Sequence, residues 1–231
     1  MQVELFAAPP RKGEQARRKL LLAGLKFFGD KGFEDASVRE IAGAAGKNVA
    51  SIAYYFGGKE QLYHAVIEGI VTYLGTLFYE VAGEARSFVE QGRKDPAVAV
   101  QIMKRILRGF LMEHLEREEI GKIRHLMMRE QGDPTEAFEI LYDKVLQPQH
   151  DLFAQVLAIA TGEDPKSPLL ILRAHAFFGH VIGFTVARHT VLRRLGVKRL
   201  TPEHGELIAF LIDQHVDFIS AGLLSSKAQD R

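Results

Sequence analysis

Residues 48–62 read NVASIAYYFGGKEQL, a run in which two adjacent tyrosines and a phenylalanine lead into two glycines and a lysine. Phenolic hydroxyls donate hydrogen bonds, Lys59 carries a cation, and the free amides at a helix amino terminus attract an anion. Together these groups can hold phosphate. Stepping about 100° per residue from Ile52, Val49, Ile52 and Phe56 share one face, and Ala50, Ser51 and Tyr54 point away from it. The outward set is small plus hydroxyl, which suits close approach to base edges in the major groove, with Lys47 beside it in the preceding turn. Tyr54, Tyr55 and Lys59 then fall where a nucleic-acid backbone would run. The alternative is that Tyr54, Tyr55 and Phe56 form the aromatic core of a small three-helix unit.

Such a surface must be carried by a short helix held against others. Ser37 followed by Glu40 is a capping box that starts a helix at Val38, with Val38, Ile41, Ala42 and Ala45 on its inner side and an end at Gly46. Asn48 can cap a third helix running to about Phe56, and Gly57 and Gly58 break the chain before Lys59 opens a long helix through Leu62, Val66, Ile70, Leu74, Leu77 and Val81. Ahead of this helix-turn-helix, residues 14–30 form a first helix through Leu21, Leu25 and Phe28, stopping at Gly32, a residue suited to a left-handed cap. Further starts fall at Asp95-Pro96, Asp133-Pro134, Ser167-Pro168 and Thr201-Pro202, where proline occupies the first helical position. The spacing predicts nine helices, a break near Gly121 and a kink at Pro148. No run alternates with period two for long enough to make a sheet, so the chain reads as all-α.

Composition sets the outer limits. The 231 residues, 47% hydrophobic and 26% charged, suit one large or two modest globular domains. Zero cysteines exclude disulfides, thiolate metal sites and cysteine nucleophiles, and fit a reducing cytoplasm. The amino end lacks the apolar core of a secretion signal and reads as a loose arm. Residues 169–187 are the one stretch resembling a membrane span. Arg173, His175 and His180 interrupt it, and an ion at a bilayer centre costs about 2.5–3.5 kcal/mol, so a buried helix and no membrane partner are expected. Net charge is +1, but residues 1–60 hold ten Lys and Arg against seven Asp and Glu, five of the ten being Arg11, Lys12, Arg17, Arg18 and Lys19. The amino end is the basic end.

The stretches FFGDKGF, SVREIAGAAG and YYFGGKEQLY resemble the pattern of the tetracycline-repressor (TetR) family of bacterial transcription regulators over residues 14–65. Within that family the chain is similar to CecR-type regulators, through KGEQARRKLLLAG, GKNVASIAYYFGGKEQLY and MREQGDPTEAFEILYDKVLQPQHDLFAQVL. The resemblance implies a homodimer that represses transcription from a double-stranded DNA operator and lets go when a small-molecule effector binds the carboxy-terminal part. It implies phosphate contacts from Ser37, Tyr55 and Lys59 and groove contacts from Lys47, Ala50, Ser51 and Tyr54. It divides the chain into an arm and helix-turn-helix domain over 1–60 and a helical effector-binding and dimerisation domain over 61–231. Lys47 stands where the family usually has a small aliphatic residue, and Gly58 where a serine or asparagine cap is usual.

In the carboxy-terminal part the two sides of one helix differ. Arg173, Phe177, His180, Phe184 and Arg188 make one stripe, the expected wall of an apolar pocket with a few polar groups to orient an effector. The other side carries His175, Gly179, Ile182, Gly183 and Val186, where Gly179 and Gly183 would let another helix approach closely. That side, with residues 201–224 including His215, is the candidate dimer seam; tight packing within one subunit is the alternative. Arg129 and Glu130 could form a structural pair. No glutamate precedes a histidine by three residues, and HExxH, GxSxG and the phosphate loop are all missing, so neither catalysis, a metal nor a bound cofactor is expected. The rival function is a helical small-molecule carrier or sensor with no DNA role, which would leave the basic amino end without a purpose.

Overall fold

The computed structural model describes residues 4–7 and 11–229, with side chains as far as residue 222. Twelve α-helices, one π-helical turn and no strand are found among the described residues, as the helical periodicity requires. The first, α1 (Lys12–Asp35), runs past its expected end because Gly32 takes φ +84° and kinks the helix instead of stopping it. Next come α2 (Val38–Ala44) and α3 (Val49–Phe56). The Ser37 hydroxyl accepts from the Arg39 amide at 3.2 Å, and the Asn48 carboxamide accepts from the Ser51 amide at 3.0 Å. Gly57, at φ +93°, ends α3 with a left-handed cap.

The long helix α4 (Lys59–Val81) is followed after one residue by α5 (Gly83–Glu90), a short helix that the sequence reading missed because no capping side chain marks its start. Asp95 caps α6 (Pro96–Glu116) by accepting from two amides. The predicted break near Gly121 lies at Arg117, which is extended, and α7 (Glu118–Gly132) runs straight through the glycine. Thr135 caps α8 (Glu136–Leu141). The kink expected at Pro148 takes the form of a π turn over Tyr142–Leu146, leading into α9 (Gln147–Thr161). Proline removes an amide donor and crowds the carbonyl four residues back, Lys144, and the wider turn relieves both. Last are α10 (Pro168–Thr185), α11 (Arg188–Leu195) and α12 (Pro202–Gln229). The reading also missed α11, which buries no residue at all.

Packing divides the chain into two compact units, Met1–Leu77 with Glu118–Leu146, and Phe78–Arg117 with Gln147–Arg231. This differs from the division at residue 60, because α7 and α8 return to the amino-terminal helices. The first core joins Leu20, Leu25, Phe28, Ile41, Ile52, Leu62 and Val66 to Ile123, Leu126 and Leu141. Gly29 lets α7 lie close against α1: a Cβ there would stand 3.2 Å from the Leu126 amide. The second core is built on Phe88, Ile102, Leu107, Phe153, Leu157, Phe177, Ile212 and Val216.

Two features correct the sequence reading. Residues 4–7 are docked, not loose. Leu5 is buried, Glu4 pairs with Arg18 at 2.9 Å, and Phe6, with φ +53°, lays its ring where a side chain on Gly69 would otherwise sit. Meanwhile α10, expected to be a buried helix, is long and apolar enough to cross a membrane by length and composition, yet only a third of it is buried.

On the second unit, Lys104 pairs with Asp217 at 2.6 Å and Arg108 with Glu206, joining α6 to α12. Burial raises the pKa of Asp213 in the same region against the pull of Lys104 and Arg108, and one of its carboxylate oxygens is buried without a partner among the described residues.

Gly69→Ala drives a methyl group into the Phe6 ring and should lower stability by about 1–2 kcal/mol in urea unfolding, with faster proteolysis of the arm. Gly75→Ala, also on α4 but with nothing within 4 Å, should instead gain up to about 1 kcal/mol from helix propensity. Asp213 binds its proton more tightly folded than unfolded, so its ionisation penalises the fold. The penalty is absent below the unfolded carboxylate pKa and grows as pH rises through the raised folded value. Asp213→Asn should therefore raise the urea midpoint near pH 7 and leave it unchanged near pH 3.

Candidate nucleic-acid interface

The helix pair α2 and α3 presents one exposed side. Ile52 is the one buried residue of α3, while Tyr54 is 82% exposed and Lys47, Ala50 and Ala53 are also exposed. Val49, expected on the inner face, is 42% exposed, because the first turn of α3 projects beyond the residues that cover Ile52. An eight-residue helix with a single buried anchor is a protruding element whose outer side is available to a partner.

Its two ends are tied down. At the start, Asn48 accepts from the Ser51 amide and also from the Ser51 hydroxyl at 2.8 Å, so Ser51 enters any groove contact already bonded through its side chain. At the other end the Tyr54 and Tyr55 rings meet edge to face at 4.9 Å. Tyr55 is half-buried, and its hydroxyl lies 3.8 Å from the Cβ position of Gly13, so the start of α1 reaches the end of α3.

Lys59 is positioned twice over. Its ammonium donates to the Glu34 carbonyl at 2.9 Å and stands 4.7 Å over the Phe33 ring. The head group is thereby fixed beside the start of α4, where free amides also favour an anion. Ser37 sits at the start of α2, and Glu40, three residues on, pairs with Lys31 at 2.7 Å; that bond holds its carboxyl below the usual range. Sequence reasoning missed Arg17, whose guanidinium lies 5.1 Å over the Phe56 ring. The signal was present in the run of five cations, but nothing in it picked out the one that meets α3.

Arg129 and Glu130 do not pair with each other. Arg129 donates to the Asp30 carbonyl at 3.1 Å, at the carboxyl end of α1. Glu130, only 3% exposed, accepts from the Tyr63 hydroxyl at 2.7 Å and from the amide and hydroxyl of Thr135 at 3.1 and 2.8 Å. Burial first, and then that carboxylate, push the Tyr63 hydroxyl pKa upward. A cavity of about 590 Å³ lies elsewhere in this unit, between the arm, α1 and α4, and is lined in part by Arg17, Arg18, Glu68, Thr72 and Tyr73.

In the second unit, Arg173 pairs with Glu163, Phe177 is buried against Phe153 with ring centroids 5.7 Å apart, and Phe184 packs on the same core. His180 bonds the Ala176 carbonyl and lies 4.9 Å from the His215 ring. His180, read as part of an effector stripe, and His215, read as part of a dimer seam, are thus neighbours within one subunit. His175 is exposed beside His150, and Gly179 and Gly183 are exposed between Leu172 and Ile182, which are 65% and 44% exposed. On α12, Leu207, Phe210 and Phe218 are 60–72% exposed. No group of three or more His, Asp or Glu is placed to hold a metal among the described residues.

Comparison with known proteins places this geometry. The sequence model of the bacterial regulatory proteins of the tetR family matches residues 20–66, which include α2 and α3 and the start of α4. The model of the carboxy-terminal domain of the HTH-type transcriptional dual regulator CecR matches residues 99–223. The chain is 35% identical over 212 residues to the HTH-type transcriptional dual regulator CecR of Shigella flexneri, covering 92% of this chain and 94% of that protein. In fold it is similar to a TetR-like transcriptional regulator from Rhodococcus sp. RHA1, with TM-score 0.56 and 21% identity over 90% of this chain and 96% of that one. AmtR of Mycobacterium smegmatis is similar in fold too, with TM-score 0.56 and 18% identity over 96% and 98%.

Asn48 supports α3 through both bonds to Ser51, so Asn48→Ala should cost about 1 kcal/mol in urea unfolding. Asn48→Ser keeps an acceptor at the cap and should recover most of that loss.

Proposed function

Because the chain belongs to the TetR family of bacterial transcription regulators and to its CecR branch, binding DNA sequence-specifically through the helix-turn-helix, we propose that it works as a cytoplasmic homodimer released from a palindromic operator by a small-molecule effector. The observation that carries this reading is the exposed side of α3, anchored from behind by Ile52. Lys47, Ala50, Ser51 and Tyr54 would enter the major groove, and Ser37, Tyr55 and Lys59 would hold the phosphates on either side. The reading surface then lies within residues 1–60, on a core that α4, α7 and α8 complete, and effector binding and dimerisation fall to the remainder of residues 61–231.

Dimerisation is supported by the apolar surface that α10 and α12 leave open. Leu172, Ile182, Leu207, Phe210 and Phe218 alternate with His175, Gly179 and Gly183, and a second copy would cover them by a self-complementary contact. His215, beside His180, would sit at its margin. Arg173, Phe177, His180 and Phe184 remain the proposed effector wall; an anionic effector would reach Arg173 by displacing Glu163. Repression is the working direction, and the name of the Shigella relative, a dual regulator, leaves room for activation at other promoters.

Selection from a random duplex pool tests the reading. A single palindromic site with steep salt dependence is the expected result, since phosphate contacts release counterions, whereas a helical carrier would enrich no sequence. Lys59→Ala should weaken binding about tenfold for all duplexes and reduce the salt slope by about one, and unchanged affinity would remove Lys59 from the phosphate contacts.

A further inference from the structure

The stretch MREQGDPTEAF lies in the part of the chain matched to the carboxy-terminal domain of CecR, yet its side chains bond to the DNA-reading unit. A continuous line of contacts starts there. The Glu130 carboxylate, buried and fixed on one side by Thr135, accepts from the Tyr63 hydroxyl at 2.7 Å. Tyr63 packs against Phe28 at 4.8 Å and Phe33 at 5.1 Å between ring centroids. Phe33 in turn is the ring over which the Lys59 ammonium stands. Arg129, the preceding residue, donates to the Asp30 carbonyl of α1, two residues before the Gly32 kink and four before Glu34.

We propose that Glu130 and Tyr63 are positioning residues for DNA binding, acting through Phe33 to hold the Lys59 ammonium at the phosphate, with Arg129 anchoring α7 to α1. The proposal rests on the DNA-contact reading of Lys59. A carboxylate buried to this degree is costly unless fully bonded, and here its bonds fix the aromatic ring that supports the cation. The Tyr63 and Lys59 side chains both leave the first turns of α4, so a small rotation of the Tyr63 ring shifts Phe33 and moves the cation off its seat. Whatever displaces Glu130 of α7 from Tyr63 of α4 is thereby felt at Lys59.

The test is a double-mutant cycle on the full-length protein, using as probe a duplex that the wild-type protein itself enriches from a random pool. Glu130→Gln should weaken binding about tenfold and lower the salt slope by up to about one, as Lys59→Ala does. Combined with Lys59→Ala, it should cause little further loss, because Glu130 acts through that lysine. Tyr63→Phe, which removes a single hydroxyl, should show a smaller loss with the same dependence on Lys59, and it decides the matter if Glu130→Gln does not fold. Losses that multiply with that of Lys59→Ala, or unchanged affinity in a folded Tyr63→Phe, would overturn the proposal. If the wild-type protein enriches no duplex, it is the regulator reading that fails, and this inference with it.

Discussion

An eight-residue helix cannot hold its own shape in water, and α3 buries only one side chain. Much of the first unit is arranged to compensate for that. Asn48 closes one end of α3 and Gly57 the other, α2 packs beside it, and the start of α1 reaches the Tyr55 hydroxyl at its far end. The same constraint explains why the outer side is so bare. A helix that must enter a groove cannot be buried by its own protein, so its stability has to come from its ends and from Ile52. Lys59 follows the same logic, since a long flexible cation is pinned by a carbonyl and an aromatic ring before any partner arrives.

The reader was legible in the sequence because its determinants are local. Ser37, Asn48 and Gly57 act within a few residues of where they stand, and each caps its helix as its type and place imply, whereas the partners of Lys59, Glu34 and Phe33, lie on α1. What the sequence could not show was which distant segment completes the core. Arg129 and Glu130 could be read as a pair only because they are adjacent, whereas in the structure they bond to two different helices, Arg129 to α1 99 residues earlier and Glu130 to α4 67 residues earlier. The shorter elements failed for a related reason: α5 and α11 carry neither a capping side chain nor a long apolar stripe, the two signals on which periodicity depends.

The second unit was legible in outline. The two-sided character of α10 is present, with Phe177 and Val181 facing the core and Gly179, Ile182 and Gly183 facing out. Less legible was how polar groups are spent there. Arg173 appears in the sequence as a group available to an effector, but Glu163, ten residues earlier across a turn, already holds it. Periodicity assigns a residue to a face; it does not say which opposite charge from another loop arrives first.

The return of α7 and α8 to the amino-terminal helices also governs how the protein is made. Ile123, Leu126 and Leu141 belong to the same core as Leu20, Phe28 and Leu62, so that core is incomplete until residue 141 has left the ribosome. By then α5 and α6 of the other unit have already been synthesised. The nascent chain must therefore keep the apolar surface that α7 and α8 will cover open to water while about a third of the following unit emerges, a stage at which exposed apolar surface invites misassociation. A fragment ending at residue 60 or 77 would be frozen at that stage. The DNA reader of this chain is a portable motif by sequence, and a dependent one by topology.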